Sequence, residues 1–259
     1  MMHNVHPTAI IEPGASLAEG VTVGPYSIIT SHARIGAGSR IGSHCVVGEA
    51  DHGPLVIEAG ANIRSHSVIY SGSTFGAELE TGHRVTLREQ LTVGRNFRVG
   101  TLCDLQGHAQ IGDFVRLHSN VHIGQKSTIG NFVWIFPYTV LTNDPHPPSD
   151  GCTQGPAVGD CAVIGTMVTV LPAVRIGHDA LVAAGSTVTR DVAPERVVMG
   201  TPAKDALSIR DVKCQEGLLT QPYPWWNHFR RGYPQTVEFT AEGPRYHAEE
   251  AASAGGSVS

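Results

Sequence analysis

Residues 17–47 read LAEGVTVGPYSIITSHARIGAGSRIGSHCVV, with an aliphatic side chain at every sixth position: Leu17, Val23, Ile29, Ile35, Ile41 and Val47. An amphipathic helix repeats its apolar face at three and four residues and a plain strand at two, so neither produces a strict six. A short strand followed by a corner does, and three such flat sides close one coil of a solenoid. The phase extends back through Ile11 to Val5 and resumes at Ile57, running by sixes through Ile63, Val93, Ile111, Ile123, Ile129 and Ile135 to Leu141. It starts again at Val158 and passes Ile164, Val170, Ile176 and Val182 to reach Val188, with Phe75 and Thr81 as the departures from small aliphatics.

Two other phases agree with this. Four residues after each aliphatic the side chains are compact, as at Ser27, Ala33, Ser39, Cys45, Ala61, Ser67, Cys103 and Ala109, which suits the interior of a narrow prism. Glycine follows the aliphatic at Gly24, Gly36, Gly42, Gly82 and Gly100, among others, where a corner with unusual dihedral angles is expected. The expected fold is therefore an all-β solenoid, a parallel β-helix of hexapeptide repeats over residues 1–205. Residues 206–259 form a separate C-terminal cap and tail, with an irregular or short-helical piece over 206–219. The segment QPYPWWNHFRRGYP, residues 221–234, concentrates aromatic and arginine side chains that the prism lacks, and is expected to pack on an outer wall or a neighbouring subunit. The end, HAEEAASAGGSVS, has few large apolar residues and is expected to be mobile.

The net charge of -5 and a pI near 6.2 argue against a nucleic-acid partner or an anionic membrane surface, while leaving room for a local phosphate pocket. Five cysteines without a CxxC pair, with Cys45 and Cys103 in the inward phase, read as buried thiols rather than as a metal or disulfide framework. No apolar run approaches spanning length and the start has no leader pattern, so a cytoplasmic location is expected.

The period breaks twice, at residues 49–56 (EADHGPLV) and at residues 142–157 (TNDPHPPSDGCTQGPA). A solenoid holds an inserted loop outside its wall, and loops on rigid scaffolds often carry binding groups. With three hexads per coil, residues eighteen apart stack in columns about 4.8 Å apart. Gln125 then falls beside Asn143, Lys126 beside Asp144, and Asp104 beside His122, with His108 one coil away in the Lys126 column. His146 lies in the long loop next to them. In the last coils the same arithmetic aligns Gly165, Ala183 and Thr201, and beside them Thr166, Ala184 and Pro202. Small side chains there suit a shallow channel for a pantetheine arm, with Lys204 as the cation for its phosphates.

The hexads followed by VVMGTPAKD resemble the left-handed β-helix acyltransferases over roughly residues 5–205. HSNVHIGQKSTIG at 118–130, followed by LTNDPHPPS, further resembles nucleotide-sugar N-acetyltransferases of surface-polysaccharide synthesis. The resemblance implies a left-handed parallel β-helix, a homotrimer with acetyl-CoA between neighbouring prisms, and a sugar amine held near an Asn-Asp pair that Asn143 and Asp144 match. It implies a nucleotide-linked (dTDP or UDP) amino sugar as acceptor and no metal. Related enzymes of lipid A synthesis carry a catalytic histidine in a His-Ile-Ala-His string, where this chain reads His122, Ile123, Gly124, Gln125.

Glutamine thus replaces their base, a departure that argues against a hydroxyl acceptor and suits an amine, which when neutral is already a competent nucleophile for direct attack on a thioester. In this reading Asn143 and Asp144 orient the amine and Gln125 completes the pocket. His108, Lys126 and His146 contact the acceptor, while Gly165, Thr166, Ala183, Ala184 and Lys204 hold the coenzyme. Three alternatives stand beside it. One is an O-acyltransferase with His122 as base, oriented by Asp104. Another is a zinc enzyme like the γ-carbonic anhydrases, drawing on His83, His108, His118 and His122. The third is a scaffold without catalysis.

Overall fold

A computed structural model describes residues 4–149 and 151–247. The chain forms two compact units, Met1–Ala206 and Leu207–Ser259. The first is a left-handed parallel β-helix whose three walls are sheets of twelve, ten and nine strands, most of them two residues long. The twelve-stranded wall contains Thr22–Val23, the ten-stranded wall Ile28–Ile29 and the nine-stranded wall Ala33–Ile35. We call them the first, second and third walls, in the order in which each coil visits them.

The six-residue phase is the core. From Val23 to Val188 its members are at most 4% exposed, including Phe75 and Thr81. Thr81 is tolerated because its hydroxyl accepts the Arg64 backbone N–H at 2.9 Å. The compact phase also points inward, and Ser27, Ser39, Ser67 and Ser127 are fully buried. Their hydroxyls bond to the backbone of the same or an adjacent coil, as Ser27 does to the Gly42 carbonyl at 2.7 Å.

Glycine has a different role from the one expected. The left-handed corner residues are not Gly24, Gly42, Gly82 and Gly100 but residues two positions on, such as Tyr26 (φ 58°), His44 (φ 55°), Arg84 (φ 55°) and Leu102 (φ 60°). Each of these last three gives its N–H to a carbonyl of the preceding coil, as His44 does to Pro25 at 3.0 Å. The glycines are required by coil stacking: a Cβ on Gly100 would come within 2.4 Å of the Ser119 backbone nitrogen.

Stacking at eighteen residues holds through most of the prism, as in the pairing of Asp104 with His122 and Leu105 with Ile123. The first insertion changes the step to twenty-two, Ile35 pairing with Ile57, so it adds four residues. The second changes it to twenty-nine, Leu141 pairing with Val170, and adds eleven. Both leave the prism between the second and third walls, after Val47 and Leu141 respectively.

The last coil is shorter than the period implied. Val182 pairs with Val198 and Ile176 with Val192, sixteen residues apart in each case. Val192 takes the inward position that an unbroken phase would give to Pro194. The columns beginning at Gly165 and Thr166 therefore continue through Ala183 and Ala184 to Met199 and Gly200, rather than to Thr201 and Pro202.

No α-helix forms over residues 206–219; the chain makes a strand, Lys204–Ser208, and a single 3-10 turn, Ile209–Asp211. In the second unit, Trp225 stacks on Tyr233 with ring centroids 5.7 Å apart, and Tyr233 meets Phe239 edge-on at 5.6 Å. A hairpin of Val237–Thr240 and Gly243–Tyr246 carries Phe239, over which the Arg230 guanidinium lies at 4.0 Å. The tail expected to be mobile lies, from residue 248 onward, outside the described residues. Among the described residues no helix is long and apolar enough to cross a membrane.

Candidate active site

The second wall carries a cluster of polar side chains. Asp104 and His122 occupy the same outward position on consecutive coils, because each immediately precedes a core residue, Leu105 or Ile123. His122 Nδ1 lies 3.1 Å from Asp104 Oδ2, both side chains about two-fifths exposed. Gln106, across the strand from Asp104, donates its amide to the same carboxylate oxygen at 2.8 Å. The hydrogen bond from His122 is the main cause holding the Asp104 carboxyl below its ordinary range, with burial opposing and Gln106 assisting. An ionised Asp104 fixes the Nδ1–H tautomer of His122 and leaves Nε2 as an acceptor, the arrangement of an oriented general base.

One coil on from Gln106 comes Gly124, which is buried beside His122. A Cβ there would lie 3.0 Å from Asn143 Oδ1 and 2.7 Å from the Leu141 carbonyl, so the Asn143 side chain already covers this position. Asn143 also anchors the returning loop, its carbonyl accepting the Gln154 N–H at 2.8 Å.

The long loop folds back on the wall. Asp144 accepts the backbone N–H groups of His146 at 2.9 Å and Ser149 at 2.8 Å, so its carboxylate organises the loop and does not pair with Lys126. Lys126 instead donates to the Thr153 hydroxyl at 2.8 Å. Gly155 lands on the backbone of Gln125 and Ser127, a Cβ there falling 2.4 Å from the Ser127 nitrogen. Gln125 is thereby half-buried under the loop, while His108 and the His146 ring stay exposed.

Three of the four histidines weighed for zinc engage different neighbours. His83 bonds Ser65 at 2.8 Å, His118 stacks on Phe136 at 4.5 Å, and His122 binds Asp104. Burial lowers the pKa of His118. Among the described residues no three His, Cys, Asp or Glu side chains gather as a metal site.

The expected coenzyme residues lie along the first wall and at the end of the prism. Gly165 is required for stacking, since a Cβ would fall 2.7 Å from the Ala184 nitrogen. Thr166 and Ala183 are half-buried and Ala184 is exposed. Lys204 lines a groove of about 360 Å³ at the C-terminal end of the solenoid, together with Arg190, Asp191, Arg196 and Asp205. Arg196 in that groove is already forked onto Asp205, with N···O distances of 2.6 and 3.0 Å.

Gln106, and Arg88 one coil before it, are neighbours of this pair that sequence reading missed. The eighteen-residue columns hold the signal for them: Arg88, Gln106 and Gly124 form one column and Thr86, Asp104 and His122 the next.

A parallel hexapeptide β-helix with a polar, loop-bordered wall defines the class of hexapeptide-repeat transferases. The family described as bacterial transferase hexapeptide (six repeats) matches residues 14–49. The chain is 33% identical over 241 residues to an acyl-acyl-carrier-protein UDP-N-acetylglucosamine O-acyltransferase of Verminephrobacter eiseniae, covering 86% of this chain and 78% of that one. It therefore belongs to the left-handed β-helix acyltransferases. A protein of the same description from Saccharophagus degradans is 36% identical over 135 residues, 49% of this chain and 48% of the relative, so the match spans about half of that relative's length. The crystal structure of the Arabidopsis UDP-N-acetylglucosamine acyltransferase superposes with a TM-score of 0.56 at 23% identity, over 80% of this chain and 72% of that one, a likeness of fold.

Proposed function

We propose that this protein transfers an acyl group from a pantetheine thioester to the amine of a nucleotide-linked amino sugar, with His122 as general base. The observation that carries this reading is the His122–Asp104 pair on the second wall, with the Asn143 side chain packed over the neighbouring Gly124. His122 Nε2 takes a proton from the acceptor nitrogen as that nitrogen attacks the thioester carbonyl. The tetrahedral intermediate collapses with cleavage of the C–S bond, and the imidazolium returns the proton to the departing thiolate. Asp104 stabilises the imidazolium while it exists. Asn143 Oδ1, placed over Gly124, accepts a hydrogen bond from the same amine, and the loop held by Asp144 closes over it.

This reading gives the proton to His122, which the sequence reading offered, oriented by Asp104, as the base of the alternative O-acyltransferase. Acetyl-CoA is the donor we favour, its arm running along the first wall past Thr166, Ala183 and Ala184 and its phosphates near Lys204. A homotrimer would complete each groove with a neighbouring prism. The second reading, a hydroxyl acceptor and an acyl-carrier-protein donor, is favoured by the description of the Verminephrobacter eiseniae relative.

Thioester consumption measured for acetyl-CoA and for acylated carrier protein, each against UDP- and dTDP-linked amino sugars and their hydroxyl counterparts, tests both. Amide product from acetyl-CoA supports the first reading. Ester product from carrier-protein donors alone replaces it with the second.

A further inference from the structure

We propose that Arg88 is the anchor for the diphosphate of the nucleotide-linked acceptor, a reading that rests on the nucleotide-sugar chemistry proposed for the same wall. Arg88 directly follows the core residue Leu87, one coil before Gln106, and so stands in the column that continues to Gly124. Its Nε and Nη2 groups fork onto Glu89, at 3.1 Å to Oε2 and 3.2 Å to Oε1. The Glu89 side chain is only 9% exposed. The carbon of the guanidinium also lies 5.5 Å from the centroid of the Tyr70 ring, one coil below. A buried carboxylate on one side and an aromatic ring on another fix the plane of the guanidinium. The fork uses two of its five N–H donors, leaving donors for an incoming phosphate. A preoriented arginine loses little side-chain freedom on binding, which suits bidentate recognition of a diphosphate.

The spacing matches an acceptor whose reacting group is at His122. Arg88 lies two coils below His122, and at about 4.8 Å per coil this is about 10 Å along the prism, the span of a sugar ring with its diphosphate. Beyond Arg88, in the direction away from His122, the first insertion covers the same corner as the long loop. Gln90 donates to the His52 carbonyl at 3.1 Å and the His52 N–H to Ser71 at 2.7 Å. A Cβ on Gly72 would collide with that His52 carbonyl at 2.5 Å, so glycine is what lets the insertion seat there. It brings the His52 ring to 6.4 Å from Tyr70, where two rings border the place of the nucleobase. The two insertions lie five coils apart, about 24 Å, and bound the trough at its ends.

CoA carries a diphosphate as well, so the test separates the two sources. UDP, uridine and CoA are titrated calorimetrically into the full chain, its Arg88→Gln variant and its Arg88→Lys variant, and dTDP, CDP and GDP into the full chain, with thermal midpoints measured in parallel. The expected result is that UDP binds the parent chain more tightly than uridine does. UDP affinity should then fall about 10- to 100-fold in Arg88→Gln and less in Arg88→Lys, as removing hydrogen bonds to a charged group does. Uridine and CoA affinities should hold, while the thermal midpoint falls in Arg88→Gln because the buried Glu89 carboxylate loses its partner. Unchanged UDP affinity in Arg88→Gln, or a loss confined to CoA, overturns the assignment of Arg88 alone. Failure of the parent chain to bind UDP, dTDP, CDP or GDP overturns the nucleotide-sugar reading and this inference with it. If Arg88→Gln does not fold, the Arg88→Lys titration decides by the same criterion.

Discussion

His122 Nδ1 sits 3.1 Å from Asp104 Oδ2, although the two residues are separated by a full coil of eighteen residues. Parallel stacking puts their Cα atoms in register, so the pair is set by the backbone of two strands and not by a flexible loop. If His122 is the base, His122→Ala should reduce the single-turnover rate of acyl transfer by about 10²-fold or more, the usual worth of general base catalysis. Asp104→Asn should lower it less. A His122→Ala enzyme with the parent rate would place the base elsewhere.

The same pair has a pH signature. Asp104 has its carboxyl pKa depressed in the folded protein, chiefly by the His122 hydrogen bond. A depressed carboxyl contributes stability that is complete above its unfolded value of about 3.9 and is lost as pH falls through the lower folded value. The difference in thermal midpoint between parent and Asp104→Asn should therefore be constant near neutrality and shrink as pH drops below about 4. A difference that does not vary with pH would contradict the assigned cause.

Cys103 is buried, its Sγ donating to the His118 carbonyl at 2.9 Å, and burial raises its pKa to about 11. Native protein at pH 8 should leave Cys103 unlabelled by iodoacetamide while the exposed Cys152 reacts, with peptide mapping as the readout. A raised thiol contributes stability that is complete below its unfolded value of about 8.5 and is lost as pH rises toward 11. Cys103→Ser should accordingly lose less stability than the parent across that window.

Asp144→Ala removes the acceptor of the His146 and Ser149 amides. Hydrogen exchange at those two amides should quicken, and KM for the acceptor should rise. The prism should stay within about 1 kcal/mol of the parent, because the bonds lost lie outside its core. Slow exchange retained in the variant would mean that the loop is held by other contacts.

Glycine demand along the walls is testable by two alanine substitutions. Gly100→Ala forces a Cβ to within 2.4 Å of the Ser119 nitrogen, and should cost about 1–3 kcal/mol through displaced backbone. Gly38→Ala meets nothing within 4 Å and carries only the strain of φ +68°. It should cost about 1–2 kcal/mol, the penalty of a left-handed non-glycine residue. Chemical denaturation of the two variants should rank Gly100→Ala as the less stable.

The prism was legible in the sequence because its determinant is local and repeated. Each hexad offers the same inward aliphatic and compact residue, so Val23, Ile29 and Ile35 already specify three walls, and the arithmetic of eighteen already places Asp104 beside His122. What the period cannot encode is how the chain behaves where it departs from six or where side chains choose among neighbours. The four-residue step from Val188 to Val192 slides the last column from Thr201 to Met199, and only the strand register reveals it. The turn of Asp144 toward the amides of its own loop, two and five residues on, is such a choice among neighbours. So is the reach of Lys126 for Thr153, and so is the clamp of Tyr70 and Glu89 on Arg88. A repeating core fixes the scaffold from within each coil, whereas the chemistry on its surface depends on which coils and loops the folded chain brings together.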